Sequence, residues 1–166
     1  MITLMAGQTV GLIATMIAKD YGIDSIVAYD NKELYRELGF NVYDSIKDVD
    51  TYRLILLSVG GREIVPPEIL KRYKYCVNVH PFYDNYKGIR PVKRALENGD
   101  GYADVTSHYM IDKVDEGRII FQEHRIISGK TEQEVYTELY PLYAKIITQT
   151  LEFLNTDIKM NFNLAY

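Results

Sequence analysis

The run Leu54-Ile55-Leu56-Leu57, inside the segment 53–58, constrains this chain more than any other feature. An unbroken apolar run has no polar face to offer water. As a strand it must be covered on both sides, which is the position of a central strand in a parallel sheet between two layers of helices. The run breaks at Gly60-Gly61. Upstream, residues 1–6 read as a buried strand ending at Gly7, and 11–21 follow with apolar residues at Leu12, Ile13, Met16 and Ile17, the spacing of a helix. Residues 25–29 are a second strand, 32–38 a short amphipathic helix stopped by Gly39, and 40–43 a brief third strand. Downstream, a helical turn after Pro66-Pro67 leads into a further strand at 75–80. This alternation predicts a Rossmann-like α/β fold with a mostly parallel sheet flanked by helices.

The period changes after residue 100. A helix at 91–98, closed by Gly99, precedes two extended segments, 105–110 and 118–127, joined by a turn at 112–117. These predict an antiparallel hairpin. Thr131 and Glu134 form a capping-box pattern, and Val135, Leu139, Leu142, Ile146, Ile147, Leu151 and Leu154 make one apolar stripe, predicting a long C-terminal helix. Pro141 lies inside that stripe and is expected to kink or divide the helix. Residues 155–166 give no signal.

With 166 residues, 47% of them hydrophobic, and no repeat or low-complexity tract, one domain over 1–166 is expected. A formal net charge of -4 gives no electrostatic case for nucleic acid or an anionic membrane, so the expected partner is a small molecule, with a homodimer left open. The one cysteine, Cys76, can neither close an internal disulfide nor nucleate a cysteine-based metal site; no metal is expected, and a reducing cytoplasm fits best. The apolar stretch 10–18 is short and is followed by Lys19 and Asp20, so neither a signal peptide nor a membrane span is expected.

Asn78 and His80 stand two residues apart in the strand 75–80, so the pleat turns both side chains to one face. Pro81 favours an extended His80 and is expected to end the ladder, placing the pair at the carboxyl edge, where open α/β sheets bind ligands. Spacing alone leaves a second reading open, in which the pair only satisfies hydrogen bonds at a strand end. Asp112 and Asp115 are likewise compatible with simple turn residues. His124 has no partner pattern and reads as a surface residue.

The surrounding residues add to this. Val77-Asn78-Val79-His80-Pro81, Tyr86-Lys87-Gly88-Ile89-Arg90-Pro91, Arg94-Ala95-Leu96-Glu97-Asn98-Gly99-Asp100, Val105-Thr106-Ser107-His108-Tyr109-Met110 and Val114-Asp115-Glu116-Gly117-Arg118-Ile119-Ile120 occur in this order. The series resembles the core of folate-dependent formyltransferases, which include glycinamide ribonucleotide, methionyl-tRNA and sugar-nucleotide N-formyltransferases. The resemblance is strongest over 78–120, reasonable over 60–70 and weak before that. The segment before Asn78 is short for the family.

The resemblance implies Asn78, His80 and Asp115 as the catalytic group, with Thr106 and His108 in support. It implies N10-formyltetrahydrofolate as the formyl donor, held largely by backbone groups of two loops, with Gly61, Arg62, Glu63, Val65, Asp112 and Val114 as its contacts. For the acceptor, a small-molecule amine, it implies Gly7, Gln8, Thr9, Lys87, Gly88 and Arg90. The cations Lys87, Arg90, Lys93 and Arg94 would meet a diphosphate or the glutamate tail of the folate, or form a solvated helix face. Because Gly7-Gln8-Thr9-Val10-Gly11 departs from the Gly-Ser-Asn-type loop of the glycinamide ribonucleotide enzymes, an amino sugar nucleotide is the favoured amine. Glycinamide ribonucleotide transfer and hydrolysis of formyltetrahydrofolate are the alternatives.

Overall fold

The computed structural model describes residues 2–50 and 53–163. Met1 and residues 164–166, the ends of the first and last segments read above, lie outside them. The elements are β1 (Ile2–Ala6), α1 (Gln8–Ala18), β2 (Ile23–Ala28), α2 (Lys32–Glu37), β3 (Asn41–Tyr43), β4 (Ile55–Val59), α3 (Pro67–Leu70), β5 (Tyr75–Pro81), α4 (Pro91–Glu97), β6 (Tyr102–Tyr109), β7 (Ile119–Ile126) and α5 (Glu132–Asn163). They build one sheet in the order β3-β2-β1-β4-β5-β6-β7. The pairs from β3 to β5 are parallel; β6 and β7 join antiparallel. This is the expected α/β architecture.

The apolar run explains the layering. In β4, Ile55, Leu57 and Val59 enter one buried cluster with Leu4, Ala6, Val77 and the stripe of α5, while Leu56 enters another with Met5, Val27 and Cys76. Both faces of the central strands are therefore covered, as continuous hydrophobicity requires. The chain reverses its direction of travel across the sheet between β1 and β4, which opens a crevice at their carboxyl ends. Gly7 and Gly60 make the two ends fit: Gly7 N–H donates to Val59 O at 3.1 Å, and a Cβ on Gly7 would overlap the Gly60 carbonyl oxygen.

Three local readings change. Helix α1 starts at Gln8, three residues before the expected start, because the Asp30 carboxylate at the end of β2 accepts the Gln8 N–H at 2.9 and 3.2 Å. That cap comes from 22 residues away and leaves no mark in the local pattern. The ladder ends at Pro81 as expected, but Pro81 is itself the last member, opposite Val105, one residue beyond the strand read at 75–80. Helix α5 runs undivided through Pro141 and on to Asn163. Six of the stripe residues are fully buried (Val135, Leu139, Ile146, Ile147, Leu151 and Leu154), with Tyr143 taking the place expected of Leu142. At about 1.5–3 kcal/mol for each buried side chain, that packing outweighs the roughly 3 kcal/mol cost of an internal proline. Pro141 and Thr137, whose carbonyl it leaves without a helical donor, both face solvent. The expected capping box forms, with Thr131 Oγ1 accepting the Glu134 N–H and Glu134 accepting the Thr131 N–H.

Candidate active site

Strand register assembles the site. Asn78 and His80 lie on one face of β5, and the antiparallel ladder sets His108 opposite Asn78 and Thr106 opposite His80. Asp115 arrives from the β6–β7 loop in a left-handed conformation, φ 51°, that a non-glycine residue adopts at some cost. Gly117 lets the loop close over β6, since a Cβ there would overlap the Tyr109 carbonyl oxygen. Tyr83 holds the same turn, donating its hydroxyl to Gly117 O at 2.7 Å while its ring packs against that of His108, centroids 4.6 Å apart.

Asp115 is the hub. Its Oδ1 accepts from Asn78 Nδ2 at 3.3 Å and lies 3.3 Å from His108 Nε2. Its Oδ2 accepts the Gly88 N–H at 2.7 Å and lies 3.3 Å from His80 Nε2. Burial pushes this carboxyl up, but the hydrogen bond with His108, the charge of His80 and the Gly88 N–H outweigh it and hold the pKa down at about 2. The group is an anion at any working pH. His80 Nε2 also meets Gly88 O at 3.1 Å, which needs a proton on Nε2, and its buried Nδ1 has no partner among the described residues. His108 Nδ1 meets Tyr109 O at 3.0 Å, which needs a proton on Nδ1, while Nε2 stands between Asn78 Nδ2 at 3.4 Å and Asp115 Oδ1 at 3.3 Å, accepting from the amide when bare and donating to the carboxylate when protonated. The arrangement offers an amide donor on long, easily exchanged bonds, an imidazole whose positive charge Asp115 stabilises, and a second imidazole on the same carboxylate.

These groups line a cavity of about 580 Å³ at the carboxyl edge of the sheet. Of the residues expected at a folate, Gly61, Arg62, Glu63, Val65 and Val114 line it, whereas Asp112 is exposed and outside it. Glu63 is tied to the protein, accepting from Tyr29 Oη, Ser45 Oγ and the Ile46 N–H at 2.8–2.9 Å, so its side chain pins the 60–65 loop. Arg62 pairs with Asp30 at 2.7 Å. Of the residues expected at the acceptor, Gln8, Gly88 and Arg90 line the cavity; Gly7, Thr9 and Lys87 do not. Arg94 fastens the 87–89 turn, donating to Lys87 O and Ile89 O, and Lys93 pairs with Glu97. Thr106 is fully buried and donates to Asp104 rather than to Asp115. His124 is exposed.

Sequence reasoning missed Glu132, Tyr136 and Tyr143 of α5, which also line the cavity. Their spacings of four and seven put them on one helical face, beside the apolar stripe that marks the core side of the helix. It also missed the strain: Gln8, Arg90 and Asp115, all on the cavity wall, have φ between 51° and 58°. Cys76 is buried, its thiol pushed up to about 12 by burial, and is no nucleophile. Among the described residues no helix is long and apolar enough to cross a membrane.

Three comparisons bear on this geometry. A family model described as formyl transferase matches residues 31–151. The methionyl-tRNA formyltransferase of Pelotomaculum thermopropionicum is 34% identical over 119 residues, 66% of this chain and 38% of the relative. The phosphoribosylglycinamide formyltransferase of Escherichia coli is 28% identical over 148 residues, 84% of this chain and 65% of the relative. The chain thus spans less than two thirds of either protein's length. The sugar 3N-formyltransferase WlaRD, solved in the presence of dTDP and 5-N-formyl-THF, superposes with a TM-score of 0.80 over 94% of this chain and 63% of its own, at 16% identity, a likeness of fold.

Proposed function

The chain belongs to the formyl transferase family, and from that premise we propose that it moves a formyl group from N10-formyltetrahydrofolate to the primary amine of a small molecule, most favourably an amino sugar nucleotide. The observation that carries the reading is the convergence of Asn78, His80 and Asp115 on one wall of the cavity.

In the reaction an uncharged amine attacks the formyl carbon, the carbonyl oxygen gains negative charge, the bond to the folate nitrogen breaks, and one proton passes from the amine to that nitrogen. Asn78 Nδ2 donates to the developing oxyanion, exchanging its 3.3 and 3.4 Å bonds for a stronger one. His80 adds a second donor and carries the proton, and Asp115, 3.3 Å away and anionic, stabilises the imidazolium and orients a water. The 60–65 and 110–115 loops edge the same cavity, and its volume lies within the roughly 300–1,000 Å³ range of small-molecule sites.

Asp30 supports the choice of amine. The first N–H of α1, where a phosphate monoester would be welcomed by the helix end, already holds the Asp30 carboxylate, itself paired with Arg62. A dianionic phosphate would have to displace or adjoin that charge, which disfavours glycinamide ribonucleotide. Glycinamide ribonucleotide transfer remains the second reading because the similarity to the Escherichia coli enzyme spans 84% of this chain. The test is incubation with N10-formyltetrahydrofolate and a panel of 3- and 4-amino sugar nucleotides and glycinamide ribonucleotide, following tetrahydrofolate. Release that requires an amino sugar nucleotide is expected. Release with glycinamide ribonucleotide alone would replace the acceptor, release without amine would make the protein a hydrolase, and no release at all would overturn the activity.

A further inference from the structure

We propose a divalent metal site, of the class that takes imidazole and carboxylate ligands, formed by Asp84, Asp104 and His124 on the face of the β6–β7 hairpin. One ligand atom from each residue lies within 4.8 Å of the others, close enough for small side-chain movements to bring all three onto one ion.

The three residues come from separate elements that the fold locks together. Asp104 and His124 are directly opposite in the antiparallel ladder of β6 and β7, so both project from one face. Asp84 follows β5 in a turn that Asp104 itself anchors: the Asp104 carbonyl accepts the Phe82 N–H at 2.9 Å, and its carboxylate accepts the Tyr83 N–H at 3.0 Å. Asp104 is only 4% exposed, and its hydrogen bonds, from Tyr83 N–H and from Thr106 Oγ1 at 2.7 Å, both fall on Oδ1. One oxygen is thereby oriented by the protein and Oδ2 is left for a ligand, the arrangement that fixes a carboxylate for metal binding. Gln122, on the same face of β7 as His124, donates to Asp84 Oδ1 at 3.0 Å, and the His124 ring stacks on Tyr102 with centroids 5.5 Å apart and planes 20° from parallel. Each of the three ligands is thus held by a neighbour that is not itself a ligand.

A donor set of one imidazole nitrogen and two carboxylate oxygens suits Zn²⁺ and its transition-metal neighbours, with a fourth position for water, and not Ca²⁺ or Mg²⁺, which take oxygen ligands. A mostly buried carboxylate facing a second carboxylate is costly to keep unneutralised, and a dication between them relieves that cost. The site lies one residue from Tyr83, whose hydroxyl and ring support the Asp115 loop and His108, so the ion would brace the cavity wall from behind without touching it.

The test is calorimetric titration of the whole protein with ZnCl₂, with MgCl₂ as control, together with the thermal midpoint in Zn²⁺ and in chelator. Wild type is expected to bind one Zn²⁺ here and to melt higher in Zn²⁺. Asp84→Asn and His124→Gln, both at exposed positions, should each weaken that binding by about tenfold or more while their melting in chelator stays at the wild-type value. Wild-type affinity in both variants, or no Zn²⁺ binding by wild type at millimolar concentration, overturns the site. Formyl transfer is not the readout, so failure here leaves the proposed activity standing and the reverse also holds.

Discussion

Replacing Asn78 with alanine separates catalysis from structure at this site. In the folded protein Nδ2 makes two bonds, 3.3 Å to Asp115 and 3.4 Å to His108, both beyond the 2.7–3.2 Å range of good N–H···O geometry. Each is worth less than the roughly 1 kcal/mol of an ordinary hydrogen bond, and Asp115 keeps its 2.7 Å bond from the Gly88 N–H. Asn78 is half-buried, so truncation leaves little sealed space, and the expected loss of stability is about 1 kcal/mol. The expected loss in turnover is about 100- to 1000-fold, or roughly 2.7–4 kcal/mol in the barrier, because a donor aimed at the oxyanion acts where charge develops. The assay pairs kcat for tetrahydrofolate release, with the best amine of the panel, against the thermal midpoint. Asn78→Asp sharpens it: the volume is kept, the donor is lost, and a second carboxylate faces Asp115 Oδ1, so turnover should be no better than in the alanine variant. Full activity in both Asn78→Ala and His80→Ala would refute the assignment, and a fall in kcat only in step with unfolding would make Asn78 structural.

The carboxyl of Asp115, lowered from 3.8 to about 2, contributes roughly 2 kcal/mol to folding at about 1.4 kcal/mol per decade. Because the folded pKa lies below the unfolded one, this contribution is complete above pH ~5, about half gone by pH ~3 and absent well below both values. Urea unfolding of wild type and Asp115→Asn at pH 6 and pH 3 should therefore show a gap that shrinks by about 1 kcal/mol; an unchanged gap would count against the ion-pair account. Gly117→Ala places a methyl group on the Tyr109 carbonyl, a contact no rotamer relieves, and should cost about 1–3 kcal/mol, read as a fall in Tm of roughly 2–4 °C per kcal/mol. Asp30→Asn removes the anion from the start of α1, so added phosphate should compete with the acceptor more strongly in the variant than in wild type, and equal competition would remove Asp30 from acceptor choice.

What the chain discloses in its order of residues follows the range over which each feature acts. The layers were legible because burial is written locally: four apolar residues in a row allow one strand environment, and a stripe at helical spacing allows one helix face. The Asn78 and His80 pair was legible for the same reason, since a pleat relates residues two apart. Asp115 was reached only through resemblance, because its contact with Asn78 spans 37 positions and needs a left-handed residue in a loop whose closure depends on Gly117. The Asp30 cap and the anchoring of Glu63 on Tyr29 and Ser45 are also distant, and both turned side chains with binding chemistry into parts of the frame. His108 shows the limit most clearly. It stands beside Asn78 only because β5 and β6 pair in one register, Asn78 against His108 and His80 against Thr106. A slip of one residue would send His108 to the opposite face and put Tyr109 or Ser107 in its place. The burial of Val105 and the bond from Phe82 N–H to Asp104 O hold that register, so the second imidazole on Asp115, which only the resemblance marked as a support, takes its place from hairpin packing.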